Sequence, residues 1–123
     1  MSAQTPYAIN LEPKYASLEL IDIPALVSAV KDRWWNQTLC KVNDCVVRLG
    51  VAQGEFHWHK HDNEDEFFYL VEGKFFIDLE GRTVELKPRQ GFTVPKGVVH
   101  RTRAPEKSVF LMIEGAGIVP TGS

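Results

Sequence analysis

The sequence predicts an all-β domain, an antiparallel sandwich or barrel preceded by an irregular arm and one short helix. Three observations carry this. From Thr38 onward, apolar and polar residues alternate over short runs. Turn residues cut those runs at short, similar intervals. Only the stretch after Asp22 places apolar side chains at helical spacing. The chain has 123 residues, 44% hydrophobic and 24% charged, which suits one core that needs no disulfide staples.

In the arm, Pro6 and Pro13 interrupt any ladder. Asp22-Ile23-Pro24 then reads as a helix start, a capping aspartate followed by proline in the opening turn. Leu26, Val27, Val30 and Trp34 continue it as an amphipathic helix ending near Arg33. Trp34-Trp35 reads as a packing anchor at the helix end, with an aromatic sugar platform as the alternative. Within one domain, arm and helix take 1–37, the β-body 38–115 and a tail 116–123. Asn43-Asp44 reads as a two-residue hairpin turn pairing Val42 with Cys45 and Cys40 with Val47. The two thiols then do not face each other, so Cys40 and Cys45 are expected to be free and structural rather than redox-active. A second two-residue turn at Glu80-Gly81 pairs Ile77 with Val84 and Phe75 with Leu86, burying one face of both strands. Further turns are expected at Gly54, Asp62-Asn63, Glu72-Gly73, Pro88 to Gly91, Pro95 to Gly97 and Ala104-Pro105.

The formal net charge of −2 excludes a broadly basic nucleic-acid binder. No apolar stretch is long enough for a membrane span, and the N-terminus lacks the layout of a signal peptide. A cytoplasmic location is the expectation. Arg101, Arg103 and Lys107 form a modest basic cluster, read as a solvated edge rather than an anion site.

The informative stretch runs from Gly54 through His57-Trp58-His59-Lys60-His61 to Glu66. On a strand, His57, His59 and His61 share one face, and Trp58 points away with Phe56 and Lys60. Three imidazoles in register suit a metal; a solvated polar edge is the other reading. Most of the acidic run Asp62 to Asp65 reads as a solvated turn. Glu66 differs, because it shares a strand face with Phe68 and Leu70 and so points inward. A buried carboxylate needs a partner, and a cation held by His59 and His61 would be one. His100 follows a Pro-Lys-Gly turn that sets it at the first inward position of a short strand. Tyr69 falls on an outward face, to pack against the arm or another subunit.

Taken together these residues resemble the cupin family. Its first motif is matched by Gly54, His59-Lys60-His61, Glu66 and Gly73, and its second by Pro95-Lys96-Gly97-Val98-Val99-His100. The text around them resembles small single-domain bacterial cupins, often labelled mannose-6-phosphate-isomerase-like. The chain departs in a shorter Gly54–His59 spacing, in Arg89 where the second motif carries glycine, and in Ala104 where it carries asparagine. The resemblance implies a double-stranded β-helix (jelly-roll) barrel with one divalent ion (Fe, Mn, Ni, Zn, Co or Cu) at its mouth. It implies His59, His61, Glu66 and His100 as ligands, and a homodimer.

Two functional readings follow. In the first, the metal supports isomerisation, decarboxylation or dioxygenation of a small oxygenated molecule, Phe68, Phe75 and Val94 help wall the cavity, and His57 is the catalytic candidate for moving protons. His57 also fits a hydrogen-bond donor behind a ligand, or a polar residue on the rim. In the second reading the chain is a non-catalytic binding module for a small ligand. A purely structural dimer module is a third possibility.

Overall fold

The computed structural model describes residues 7–122. Pro6 therefore lies outside the described residues. The elements, in order, are β1 (Ala8–Asn10), α1 (Ile23–Ser28), β2 (Trp34–Val42), β3 (Cys45–Glu55), β4 (Glu66–Glu72), β5 (Phe75–Leu79), β6 (Arg82–Leu86), β7 (Gly91–Val94) and β8 (His100–Gly115). The strands form one sheet along the path β1-β2-β3-β8-β4-β7, with β5 attached to β8 and β6 to β5. The path does not close on itself. The barrel is thus open, and β8 is its spine, pairing with β3, β4 and β5.

Alternation explains which residues this sheet buries. On the inner face, Trp34 and Ala52 meet Phe68, Leu70, Phe75, Ile77, Phe110 and Met112 in one apolar cluster. On the outer face, Leu39, Leu49, Val51 and Val109 are covered by Tyr15, Ile21, Ile23, Leu26 and Val27 from the arm and helix. β3 is therefore buried on both faces, which is why it reads as a nearly unbroken apolar run.

Both expected hairpins form in the expected register, Val42 opposite Cys45 and Ile77 opposite Val84. Cys40 pairs with Val47, and both cysteines are free. Four local expectations need correction. The arm contributes β1, a short edge strand running parallel to β2 with Ala8 opposite Trp35; its position at the edge explains why flanking prolines do not forbid it. The helix stops at Ser28, not near Arg33. Ser28 Oγ donates to the Ala25 carbonyl, and tight bonds from Ala29 to Leu26 and Val30 to Val27 close the last turn. β2 then begins at Trp34, so Trp34 is a strand residue facing the core and Trp35 faces the outer layer.

The fourth correction concerns two expected turns. Gly54 and Ala104-Pro105 lie inside β3 and β8, and Gly54 is paired with Ala104. They mark a bulge in which Gln53 alone faces Pro105, Glu106 and Lys107. Beyond it β8 leaves β4 and pairs instead with β5. Turn residues here bend a continuous strand between two partners.

Candidate metal centre

The segment between β3 and β4 carries the histidines, and it is not a strand. The Phe56 N–H bonds the Thr102 carbonyl at 2.9 Å, and in an isolated bridge His59 and His100 exchange both backbone hydrogen bonds at 2.9 Å. The Gly97 N–H bonds the His61 carbonyl at 2.7 Å, tying the segment to the Pro-Lys-Gly turn as well. These bonds hold His59 and His61 inward without a regular strand. Glu66 opens β4 and His100 opens β8, and both are inward.

The ligand-capable atoms of His59, His61, Glu66 and His100 lie within 4.8 Å of one another. Glu66 Oε1 stands 3.3 Å from His61 Nε2 and 3.3 Å from His100 Nε2. Atoms bound at about 2.1 Å to one ion are about 3.0 Å apart at octahedral angles and about 3.4 Å at tetrahedral ones. His61, Glu66 and His100 are almost fully buried, yet His61 Nδ1 and Nε2, Glu66 Oε1 and His100 Nε2 have no hydrogen-bond partner. Such orphaned atoms are costly unless something binds them. His59 Nδ1 bonds the His57 carbonyl at 3.0 Å and His100 Nδ1 the Val98 carbonyl at 2.9 Å. A carbonyl can only accept, so both Nδ1 atoms carry a proton, and in a neutral ring the Nε2 lone pair is left for a metal.

Burial lowers the His59 pKa to about 4, so this imidazole is neutral at pH 7. For Glu66 burial works upward, but His100 and His61, aimed at the carboxylate, outweigh it and hold the group at about 2. One anionic and one or more neutral donors converge on a single point. The group could hold a metal ion.

An aromatic cleft adjoins the centre. Trp34, Phe56, Phe68 and Phe110 line it with His59, Glu66 and Asn36, and it has room for little more than a water, about 20 Å³. Ile9 of the arm and Pro120 of the tail complete its rim. Of the wall expected from sequence, Phe68 lines the cleft, but Phe75 and Val94 do not; they lie in the surrounding core.

His57 sits apart from the four. It is exposed, with Nε2 at 2.7 Å from the Thr121 carbonyl and Nδ1 at 3.1 Å from the Tyr7 hydroxyl. Nε2 therefore donates to that carbonyl, and Nδ1 shares a hydrogen bond with the Tyr7 hydroxyl. His57 clasps the arm to the tail beside His59, ring centroids 5.3 Å apart. Trp58 is exposed with Arg101 stacked over it. Arg101 and Arg103 both bind Asp78, which accounts for the basic cluster as an ion-paired surface.

Sequence reasoning did not single out a buried polar tract behind the centre. Glu114 is paired with Glu66 across β8 and β4, and Arg48 lies 3.2 Å from its carboxylate. Arg48 Nε donates to Thr38 Oγ1 at 3.0 Å. Burial raises the Glu114 pKa well above the ordinary range; the nearby Glu66 carboxylate adds to the rise, and Arg48 opposes it. The available signal was one polar residue inside each of two apolar runs, Val46 to Ala52 and Val109 to Ile113-Glu114.

Residues 45–114 match the Cupin domain family, Cupin_2. The chain belongs to the cupin family. The YdbB protein of Bacillus subtilis (strain 168) is 41% identical over 91 residues, 73% of this cupin and 80% of YdbB. A protein of Streptomyces cyaneus named polyketide synthase CurC is 42% identical over 58 residues, 47% of this chain but only 36% of CurC. Among solved structures, a cupin-2 domain protein of Shewanella frigidimarina superposes with a TM-score of 0.74 at 29% identity, covering 78% of this chain and 94% of that one. Among the described residues, no helix of this cupin is long and apolar enough to cross a membrane.

Proposed function

We propose that this cupin binds one divalent transition metal through His59, His61, Glu66 and His100, and uses it to hold or transform a small oxygenated molecule in the adjoining cleft. The carrying observation is the set of buried, unpartnered ligand atoms facing one another at 3.3 Å. Four protein ligands leave one or two positions open on such an ion, which supplies Lewis-acid polarisation of a bound oxygen. The protein's part is to fix two imidazoles through their Nδ1–H bonds and to keep Glu66 anionic. It also sets an aromatic wall beside the ligand's place.

Enzyme and binding module remain distinct proposals. Isomerisation, decarboxylation or dioxygenation fits an open metal position. A polyketide, named in one relative, fits the class of oxygenated ligand. A specific observation favours binding: among the described lining residues, only His59 and Glu66 have ionisable side chains, and both are ligands in this reading. As a proton carrier His57 would have to release Tyr7 or Thr121; its two bonds favour a rim and clasp role. A homodimer belongs to the same proposal, supported by the fully exposed Leu18 and Leu20 of the arm.

The test is metal content by mass spectrometry of protein purified without a nickel column. About one transition-metal ion per chain is expected for the wild type, and less than about a tenth for His59→Ala/His61→Ala. Wild-type protein that carries no metal and takes none up on reloading refutes the metal centre. Dioxygen consumption by the iron-loaded protein separates the oxygenase from the binding module.

A further inference from the structure

Two segments far apart in sequence, the arm at 7–9 and the tail at 120–122, meet over the cleft beside the metal group. Ile9 and Pro120 form its rim, and His59 and Glu66 bring the ligand group into its lining. Its room, about 20 Å³, admits a water and no larger molecule. A larger ligand can reach a metal through this cleft only if the rim moves. The tail also rests on a candidate ligand: a methyl at Gly122 would lie 2.8 Å from His59 Cβ and 3.2 Å from the Lys60 carbonyl oxygen.

The rim is lightly held. β1 is three residues long and lies at the sheet edge, paired with β2. The base of the tail is anchored: the Ala116 N–H bonds the Asp44 carbonyl at 3.0 Å, and the carbonyl of buried Ile118 accepts from Arg48 Nη1 at 3.4 Å. Past Ile118 the Gly122 N–H bonds back to the Val119 carbonyl, within the tail's own turn. Among the described residues, the hydrogen bond that ties this turn to the rest of the protein runs from His57 Nε2 to the Thr121 carbonyl, at 2.7 Å. The same imidazole holds the Tyr7 hydroxyl at 3.1 Å. His57 is exposed, so water competes for both bonds and each contributes little. Pro120 is buried, which makes the closed position the resting one. Short segments held by a few exposed bonds are the first to open.

We propose that arm and tail form a two-part lid over the metal centre, and that His57 is its latch, joining the Tyr7 hydroxyl to the Thr121 carbonyl while the lid is closed. The tail swings on the stretch after Ile118. With the latch made, the cleft admits water; with it broken, larger ligands and the metal itself can pass. This deepens the proposed function, on whose metal centre it rests, by making access to that centre a conformational step. It also gives His57 a role that needs no proton transfer.

Two variants open the lid by different means. His57→Phe removes both bonds and keeps a ring stacked on Phe56, 4.5 Å away between centroids in the wild type. Gly122→Ala leaves His57 in place and wedges the tail away from His59. Zinc uptake by the metal-free protein, and zinc release to excess chelator, are timed by stopped flow. In both variants uptake and release should speed up together, in His57→Phe by roughly three- to tenfold, the worth of about one hydrogen bond, with the zinc Kd unchanged. Faster release without faster uptake means a damaged ligand set and overturns the lid, as do wild-type rates in both variants. Hydrogen exchange of the metal-free protein is the second readout. Amides in 7–10 and 119–122 should exchange faster together in His57→Phe, with β3 and β8 unchanged. Exchange that rises in neither segment, or in one alone, overturns the latch. Joint faster exchange in a protein that takes up no zinc would sustain the latch while refuting the metal centre.

Discussion

Replacing Gly50 with alanine probes the packing beneath the cleft, because Gly50 is paired with Phe110 across β3 and β8. A Cβ there would stand 2.3 Å from Phe110 Cζ and 2.4 Å from Cε2. Carbon contacts are comfortable near about 3.5 Å, so the ring must retreat by about 1 Å. It is not free to do so: the Phe75 ring lies 4.3 Å away, centroid to centroid, and Trp34 and Phe68 flank it. The open direction is the cleft itself. In an unconstrained strand, glycine to alanine gains about 0.5–1 kcal/mol. Here the expected change has the opposite sign, a loss of about 1–3 kcal/mol from overpacking, or several degrees in melting temperature for a domain of this size. Phe110→Leu alone should cost about 1–2 kcal/mol, less than truncation to alanine. The double variant should cost little more than Phe110→Leu, because the shorter side chain vacates the position the new methyl needs. Urea denaturation of the four proteins gives the coupling energy. Costs that add to within about 0.5 kcal/mol would mean that the methyl and the ring do not compete, and the packing argument fails.

Three further outcomes follow from the same structure. Asp78 is held at about 2, chiefly by Arg103, with Thr83 and Arg101 adding and burial opposing. A depressed carboxyl contributes stability that is present above its ordinary range and is lost as pH falls from about 4 toward 2. Asp78→Asn should therefore lower stability by about 1–2 kcal/mol at pH 7 and narrow the gap to wild type at pH 3, as read by thermal melts; a gap independent of pH refutes the assignment. Arg48→Met should cost about 3–5 kcal/mol by stranding buried Glu114, and Arg48→Met/Glu114→Leu should recover at least half of that; simple additivity in denaturant melts rules this out. Arg89 has φ +69° at the position where the cupin motif carries glycine, so Arg89→Gly should raise stability by about 0.5–1 kcal/mol. A lower melting temperature would show that the arginine side chain outweighs its backbone strain.

The parts of the fold legible in sequence are those set by local chemistry. Asn43-Asp44 and Glu80-Gly81 demand tight turns, and alternation then fixes register to the residue. The candidate ligands were legible for another reason: His59, His61, Glu66 and His100 stand at positions of the two cupin motifs, although His59 and His61 sit in an irregular segment rather than on a strand. What was not legible depends on distant partners. β1 exists because β2 offers an edge, and nothing within Ala8–Asn10 announces it. The bulge at Gly54 and Ala104 looks like two turns until the strands are placed side by side. Asn36 was hidden by starting β2 too late: once Trp34 is inward, alternation makes Asn36 and Thr38 inward as well. Arg48 and Glu114 looked like isolated polar residues in apolar runs, and only the sheet shows that they meet.

The bend in β8 connects these features to the site. Before the bulge, β8 pairs with β5 and supplies His100; after it, β8 pairs with β4 and sets Glu114 beside Glu66. One strand therefore fixes both the last candidate ligand and the buried carboxyl behind the acidic one. Phe110 and Met112, from the same strand, line the cleft between those ends. A change of twist in β8 would move His100 relative to Glu66, and their 3.3 Å separation leaves little room for that. The bulge is thus a condition on the site's geometry as well as on the fold. It explains why glycine, with φ +111°, stands at position 54, in the bulge opposite Ala104 and a few residues ahead of His59.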